Sequence, residues 1–447
     1  MAAKTDYSLL DEPLLTVRST DRKDRRQVNL PQLLSELPQE GMVGDFPRVT
    51  AHQRQAVHAF LVQLAVMALH RAGETAIEQS TERWRRMLVE LADGEESAFA
   101  LVVPDLSKPA FFQPPVPEGE LKGWKTLESA DALDILITAK SHDVKAHRAS
   151  RAGPETWIFS LLTLQTMQGV LGAGNYGVVR MNSGFGNRPQ VGLMPNLAFG
   201  ARFARDVRLA LDHREGLVGT DNLYPSVNGK TLLWLEPWDG KHSLALSECD
   251  PFFLEVCRRV RFTSRGDTLR CQSKSTKVWR VAAKAYRGAV GDLWTPVKDD
   301  GSALTVSASG FNYQRLQRLL TKQGFSPSAA QQVQTRDPEE ILFVARALVR
   351  GQGKTEGFHE RILHVPASMR EHLRMPARLG RITQLWVEHA ATVRTEVLKP
   401  ALLHLVQGGP EKLDYRDKRI DPDLERFEAY VDARFFDALF AAVDHAG

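Results

Sequence analysis

The sequence predicts an α+β protein, with a mixed amino-terminal domain that carries irregular loops and an α-helical carboxy-terminal domain. Three observations lead to this fold class. Helical and strand-like patterns are intermixed in the first part of the chain, prolines interrupt residues 102–123, and only long helical patterns follow Pro366. We therefore predict one domain at residues 1–365 and a second, helical domain at residues 366–447.

The bulk composition is that of an ordinary globular protein. The chain has 447 residues, of which 43% are hydrophobic and 25% are charged, and this length is typical of two or three domains. Its 58 basic and 54 acidic residues leave a net charge of +4. So small a charge permits nucleic-acid binding but requires that any phosphate contact come from local basic clusters.

The cysteines and the apolar stretches indicate in which cellular compartment the protein is located. Cys249, Cys257 and Cys271 are few and form no CxxC pair, which argues against both a disulfide framework and a structural zinc site. The amino terminus lacks the apolar stretch of a signal peptide. The longest apolar run, near Phe60 to Leu69, is interrupted by Gln63 and is too short to span a membrane. We therefore expect a cytoplasmic protein with no membrane contact.

The amino-terminal elements begin with a short strand over Leu14 to Val17, which a charged turn at residues 21–26 follows. A long helix is predicted from an N-cap at Thr50 to Gly73, since apolar residues recur between them at helical spacing. A second helical pattern covers Trp84 to Leu91. These helices should supply much of the core.

The middle of the chain is less regular. Leu133 to Thr138 is either a buried strand or the end of a helix, and Trp157 to Leu171 predicts a helix that ends in the break at residues 172–174. Tyr176 to Leu193 has the pattern of a strand, a glycine turn at residues 183–188 and a second strand. A hairpin is therefore expected here.

The remaining elements complete the prediction. An amphipathic helix is expected over Ala201 to Leu211, and strands over Thr231 to Leu235 and Val278 to Val290. Asp337 and Pro338 strongly predict the start of a further helix, because they have the types preferred at the N-cap and first position of a helix.

The helix that begins at Asp337 should continue to about Arg350. Two long helical patterns, Ala377 to Val406 and Leu424 to Val443, then predict an antiparallel hairpin of helices.

A basic stretch at residues 139–152 is the first candidate for a functional site. It holds four basic side chains and one acid, so its local net charge is positive, and small residues would let it approach a phosphate backbone. The candidate DNA-binding residues here are Lys140, Lys145, His147 and Arg148. The alternative is a solvated surface loop.

The glycine turn is the second candidate, with Gly184, Phe185, Gly186, Asn187 and Arg188 as its DNA-binding residues. Two glycines remove side chains where a backbone must approach another molecule closely, and the amide and guanidinium groups beside them are donors. Such a thin loop suits the minor groove of DNA, which presents mainly acceptors. The alternative is a plain turn whose glycines only provide positive φ.

The third candidate is the loop that contains Gln352, Lys354 and Thr355. The triplet Gly353-Lys354-Thr355 is similar to the end of a nucleotide-binding P-loop, but Leu348 stands where that motif requires a glycine and a helix is expected before it. An exposed basic loop that inserts between bases is the better interpretation. The alternative is a nucleotide- or metal-dependent nuclease that uses this loop.

Lys284 is the last candidate and lies in a predicted strand. A lone lysine there is usually a surface residue with no specific role, which is the alternative. The sequence has no HExxH or GxSxG motif and no GxGxxG turn of Rossmann type. We therefore expect no catalytic residues, no metal and no cofactor, and hence no enzyme activity.

Several stretches together resemble the large subunit, CasA, of the type I-E CRISPR Cascade surveillance complex. They are SLLDEPLLTVR, TAKSHDVKA, TLLWLEPWDG, CDPFFLEVCRRVRF, GDLW and KTEGFHERIL, which recur in similar order. The resemblance spans nearly the whole chain. It implies a non-catalytic subunit that recognises the PAM in target double-stranded DNA from the minor groove, wedges the duplex open and initiates R-loop formation in antiviral defence, while guide RNA reads the remaining sequence.

The resemblance also implies roles for the candidate residues. The family's glycine loop matches Gly184 to Arg188, its PAM-proximal lysine matches Lys284, and its wedge matches Gln352 to Thr355. Lys354 and Thr355 stand where the family often has amides. The basic loop from Lys140 to Arg151 would touch DNA or the neighbouring backbone subunit near the 5′ end of the guide RNA.

One departure concerns the carboxy terminus, since the family typically ends in a four-helix bundle and this chain stops after the second long helix. The resemblance therefore implies a partial bundle that another subunit or a substitute domain covers. The expected partners are guide RNA, the backbone, small and 5′-end subunits of Cascade, and a nuclease acting in trans or fused to another subunit. The implied location is the bacterial cytoplasm.

Overall fold

The fold was analysed in a computed structural model, which describes residues 6–21, 23–127, 129–134, 152–219, 223–266, 268–351, 354–409 and 411–444. The helices are α1 (Leu30–Glu36), α2 (Ala51–Arg71), α3 (Thr81–Leu91), α4 (Pro154–Met167), α5 (Phe199–Arg214), α6 (Tyr313–Thr321), α7 (Arg370–Arg374), α8 (Ala377–Thr392), α9 (Lys399–Gln407) and α10 (Asp421–Asp444).

The strands are short, except for two near the carboxy terminus. They are β1 (Asp6–Ser8), β2 (Leu15–Arg18), β3 (Arg25–Val28), β4 (Ala100–Val102), β5 (Lys125–Leu127), β6 (Gln190–Met194), β7 (Lys230–Leu232), β8 (Cys249–Leu254), β9 (Arg259–Arg265), β10 (Thr268–Lys274), β11 (Val297–Lys298), β12 (Phe325–Ser326), β13 (Ile341–Gly351) and β14 (Lys354–Val365). Small sheets among many helices confirm the predicted α+β class.

Helix α2 is the centre of the larger hydrophobic core. It begins after Thr50, whose backbone N–H donates to the Gln53 side chain over 3.1 Å, and Gly73 follows its end with a φ of +68°. Its residues are buried on every face, as expected of a helix enclosed by other elements. Polar groups inside this core are satisfied by backbone: Gln63 donates to the carbonyls of Phe252 and Phe253 at 3.0 and 3.1 Å.

A second core lies around the antiparallel sheet β14–β13–β6. Val191 of β6 and Phe343 of β13 pack there with Leu316 of α6, and Phe435 and Leu439 of α10 close the same cluster. The terminal helices are therefore built onto the sheet by apolar contacts. This cluster also crosses the boundary predicted between residues 365 and 366, which stays a prediction.

The helical hairpin predicted at the carboxy terminus is present. Helices α8 and α9 are joined by a π-helical segment at Val393–Leu398, and α10 returns after a connection. Part of its surface is apolar and exposed, with Val397 and Leu405 at 61% and 78%.

The helix predicted from Asp337 to Arg350 is wrong, because this segment forms strand β13. Its apolar residues are buried between β6 and β14 instead of following one helical face. Arg346, the charged residue in the run, pairs with Glu360 directly opposite on β14. A continuous apolar run buried on both faces is typical of a central strand, and the cap-like residues before it do not start a helix.

Other predictions in the middle of the chain also need correction. Residues 176–189 contain no strand before β6, because the Val178 N–H donates to the Gln168 carbonyl over 2.9 Å and the Val179 N–H to the Glu255 carboxylate. Residues 278–290 are irregular around a short 3₁₀ turn at Lys284–Tyr286.

Helix α4 ends at Met167 rather than Leu171, and the predicted strand at Thr231 to Leu235 is confined to β7. Of the ambiguous run from Leu133 to Thr138, residues 135–138 lie outside the described residues.

Candidate nucleic-acid interface

The glycine loop, residues 183–188, is held on both sides by backbone hydrogen bonds. The Arg188 N–H donates to the Met167 carbonyl at the end of α4, and the Asn187 N–H donates to the Leu348 carbonyl of β13, both over 2.8 Å. On the other side, the Gly184 carbonyl accepts from the Val170 N–H at 2.8 Å. These bonds fix the path of the loop between a helix end and a strand.

The glycines of this loop serve close approach and not unusual backbone angles. Ser183 has a φ of +29°, whereas neither Gly184 nor Gly186 has a positive φ. A Cβ atom on Gly186 would lie 2.7 Å from the Leu348 carbonyl oxygen. A side chain at Gly186 would therefore push the loop away from β13, while at Gly184 the nearest atom would be at an ordinary 3.6 Å.

The expectation that the Arg188 and Asn187 side chains face DNA is corrected by their burial. Arg188 is only 2% exposed, its Nε lies 2.5 Å from an Asp292 carboxylate oxygen, and its guanidinium lies 5.2 Å from the Trp294 ring centroid. Burial lowers the pKa of Arg188, and the Asp292 charge opposes that shift. Asn187 is 5% exposed. Both side chains are therefore buried in the protein, and Arg188 anchors the loop there through Asp292.

A second buried ion pair fixes the segment that leads into the loop. The Glu255 carboxylate accepts the Val179 N–H at 3.0 Å and lies 3.6 Å from the Arg180 guanidinium, which covers the Phe253 ring at 3.9 Å. Burial raises the pKa of Glu255 to about 7, although Arg180 acts in the opposite direction. The chain on the amino-terminal side of the loop is thus tied to the end of β8.

The tip of the β13–β14 hairpin lies directly beside the glycine loop. Gly351 pairs with Lys354 across the tip, and the register shifts between Val349 and Arg350. A Cβ on Gly186 would be 3.5 Å from the Arg350 backbone nitrogen, so loop and tip are neighbours. Gln352 lies outside the described residues, and Lys354 and Thr355 are placed here by their backbone.

Arg350, which is not among the DNA-binding residues predicted from the sequence, is a cation at this junction. Its Nε and Nη1 atoms are buried and have no hydrogen-bond partner within the described residues. Burial lowers the pKa of Arg350. Arg350 is therefore a half-buried cation at the junction, and its predicted place at the end of a helix does not indicate this burial.

Lys284 is also brought to this region, on a turn and not on the predicted strand. The turn continues to Gly288, whose φ is +82° and whose Cβ, if present, would be 2.6 Å from the Met181 backbone. Lys284 is exposed, as is Tyr286 at 41%. The structure therefore brings together the glycine loop, the Lys284 turn and the hairpin tip. The fourth candidate is the basic loop with Lys140, Lys145, His147 and Arg148, and it lies outside the described residues.

The geometry gives no support to the nucleotide-binding alternative. After a P-loop lysine the chain enters a helix, whereas here strand β14 begins at Lys354. The described residues contain no group of three or more histidine, cysteine or acidic side chains that could hold a metal ion. Within the same part of the chain, no helix is long and apolar enough to cross a bilayer.

The fold is that of the CRISPR-associated proteins called CasA or Cse1. CasA from Thermus thermophilus is similar with a TM-score of 0.61 and 14% identity, over 98% of this chain and 89% of that chain. Thermobifida fusca Cse1 has a TM-score of 0.64 and 12% identity, over 96% of this chain and 85% of that chain.

A third similar structure is a chain from a CRISPR RNA-guided surveillance complex. Its TM-score is 0.57 at 12% identity, over 98% of this chain and 90% of that chain. No protein-family model and no curated protein matches the sequence. These likenesses establish the fold along nearly the whole chain, as the sequence resemblance predicted.

Proposed function

We propose that this chain is the non-catalytic large subunit of a type I-E CRISPR Cascade, which recognises the PAM in target double-stranded DNA and initiates R-loop formation. The observation that carries the proposal is the junction of the glycine loop, the Lys284 turn and the hairpin tip in a chain with the CasA fold. Three separate segments of the sequence meet there, and each is of a kind suited to nucleic acid.

The physical argument concerns access to the minor groove. That groove is only about 6 Å wide, so a thin backbone loop enters it more easily than a helix does. The loop is also held rigidly, because Asn187 and Arg188 fasten it to β13 and α4. A rigid loop loses little conformational entropy when it binds.

The candidate residues have distinct roles in this proposal. Gly184 and Phe185 contact the groove, Gly186 allows the loop to lie against β13, and Lys284 pairs with phosphate or a base edge. The side chains of Asn187 and Arg188 position the loop from within.

Gln352, Lys354 and Thr355 form the wedge that parts the first base pair. Lys140, Lys145, His147 and Arg148 are proposed to contact DNA or the neighbouring backbone subunit.

The proposed assembly contains guide RNA and several protein subunits besides this chain. Guide RNA reads the target sequence by base pairing, and backbone, small and 5′-end subunits hold that RNA. Cleavage is proposed to come from a nuclease in trans or fused to another subunit, and the helical hairpin is covered by a further subunit or domain. The assembly would act in antiviral defence in the bacterial cytoplasm, and the chain itself would need no cofactor.

The proposal is tested by reconstituting the chain with its guide RNA and partner subunits and measuring duplex binding. The DNA should be a library in which the base pairs beside the guide-complementary sequence are randomised. We expect binding to select a short flanking motif, and to lose that selection when this chain is left out. Equal binding of all flanks would contradict the proposal, as would ATP turnover or metal-dependent cleavage by the isolated chain.

A further inference from the structure

Three large apolar side chains are exposed around the glycine loop, where burial would normally be favoured. They are Leu171, Phe185 and Tyr286, at 42%, 37% and 41% exposure. Leu171 follows Val170, which bonds to Gly184, and Tyr286 lies on the turn that packs against Met181. The segments that carry Leu171 and Tyr286 therefore adjoin the glycine loop or the residues that lead into it.

Phe185 is the member that the loop presents to solvent. Its neighbours Gly184 and Gly186 have no side chains, so neither covers the ring. The backbone on either side is fixed, by the Val170 bond to Gly184 and by the Leu348 bond to Asn187, each 2.8 Å long. An aromatic ring has only two side-chain torsions, so a ring on a fixed backbone loses little freedom when it enters a partner.

We propose that Phe185 is an apolar wedge that inserts between neighbouring base pairs of the duplex from the minor groove, with Leu171 and Tyr286 against the splayed edges. This inference rests on the proposed function and adds the way in which the loop distorts DNA. Proteins that bind the minor groove use such insertions to unstack a base step and to kink the duplex by roughly 20–90°. Opening of the first base pair then starts from a step whose stacking is already broken.

The charges beside the ring fit a nucleic acid. Lys284 is exposed two residues before Tyr286, and within the described residues it forms no ion pair. Arg350 adds a half-buried guanidinium near the hairpin tip, whose buried Nε and Nη1 atoms have no hydrogen-bond partner among the described residues. Arg287 is already held by Asp300 and is not counted here. Basic groups in the segments around the loop suit a stacked base step, whose phosphates lie on either side.

The experiment compares Phe185→Ala and Phe185→Trp in the assembled complex, with Val227→Ala as the control because Val227 is also an exposed apolar residue, at 70%. The probe is a duplex that carries 2-aminopurine at the base pair next to the flanking motif, since unstacking raises its fluorescence. A second duplex has mismatches at the same position and is therefore already open. End-labelled duplexes report bending by energy transfer.

We expect Phe185→Ala to slow the fluorescence rise by about tenfold or more and to reduce bending, while affinity for the mismatched duplex stays within about twofold. Phe185→Trp should restore opening, and Val227→Ala should behave as the wild type. Wild-type opening by Phe185→Ala overturns the wedge alone, and so does an equal loss of affinity for both duplexes. A wild-type complex that binds no duplex overturns the proposed function and the wedge together.

Discussion

The backbone N–H of Asn187 donates to the carbonyl oxygen of Leu348 over 2.8 Å, which joins the glycine loop to the strand that leads to the hairpin tip. The two residues are far apart in sequence, and the bond is possible only because Gly186 lets the chains touch. Any change that separates them should disturb both parts of the candidate interface. The first prediction tests this contact.

Gly186→Ala should weaken duplex binding by the complex about tenfold or more. The new Cβ would lie 2.7 Å from the Leu348 carbonyl oxygen, so loop or strand must move. The matched control is Gly216→Ala, at a glycine outside the glycine loop whose Cβ would meet nothing within 4 Å. Fluorescence anisotropy with labelled duplex gives both affinities, and equal affinities for the two variants would show that this contact does not shape the binding surface.

Lys284→Ala should lower the slope of log affinity against log salt by about one, as expected when one phosphate contact is lost. Lys122→Ala removes the same charge from an exposed site outside the interface and should leave the slope unchanged. Titrations at several salt concentrations provide the measurement. A slope that changes by the same amount in both variants would mean that Lys284 acts only through net charge.

Arg188→Leu should destabilise the chain by roughly 3–5 kcal/mol, because it leaves the Asp292 carboxylate buried without its partner. Adding Asp292→Leu removes the stranded charge, so the double variant should lose less than the two single variants together. Urea unfolding monitored by circular dichroism measures each stability. Losses that simply add would show that Arg188 and Asp292 are not coupled.

His58 should make stability depend on pH. Its Nε2 lies 2.8 Å from the Asp206 carboxylate, and burial lowers the pKa of His58 to about 4, below the unfolded value of 6.5. Between these values the unfolded chain binds the proton better, so stability is complete above pH 6.5 and falls by roughly 3 kcal/mol as pH drops toward 4.

The variant His58→Gln cannot bind that proton. The difference in unfolding free energy between wild type and variant should therefore be largest at pH 7 and should shrink at pH 5. Urea unfolding at the two pH values measures it. Asp206 titrates below this window, since its pKa is lowered to about 2 in the wild type. A difference that is the same at both pH values would show that His58 is not the titrating group.

Much of the fold could be predicted because long elements carry redundant signals. Helix α2 has an N-cap, a glycine after its end and helical spacing between them, and all of these agree. Strand β13 was mistaken for a helix because a local signal, Asp337 followed by Pro338, outweighed the run of apolar residues after it. Whether such a run is a strand depends on neighbours, here β6 and β14, that local patterns do not specify.

The glycine loop could be predicted from the sequence, but the packing of its residues could not. The glycine pattern located the loop, yet the need for Gly186 comes from a carbonyl group on β13. Arg188 was expected to be available to DNA because arginines usually are exposed. Its partner Asp292 is remote in sequence, so nothing near Arg188 indicated that it is buried.

Strands β13 and β14 also fix the distance between the hairpin tip and the terminal helix α10. Near its base, Arg361 of β14 pairs with Asp432 of α10, whose carboxylate accepts the Tyr313 N–H at 2.6 Å. From Arg361 to Lys354 the strand extends roughly 23 Å, at about 3.3 Å per residue. Hydrogen bonds between β13 and β14 keep this distance fixed. DNA in contact with the tip would therefore lie roughly 23 Å from the Arg361–Asp432 pair, a distance equal to the rise of about seven base-pair steps, whatever its sequence.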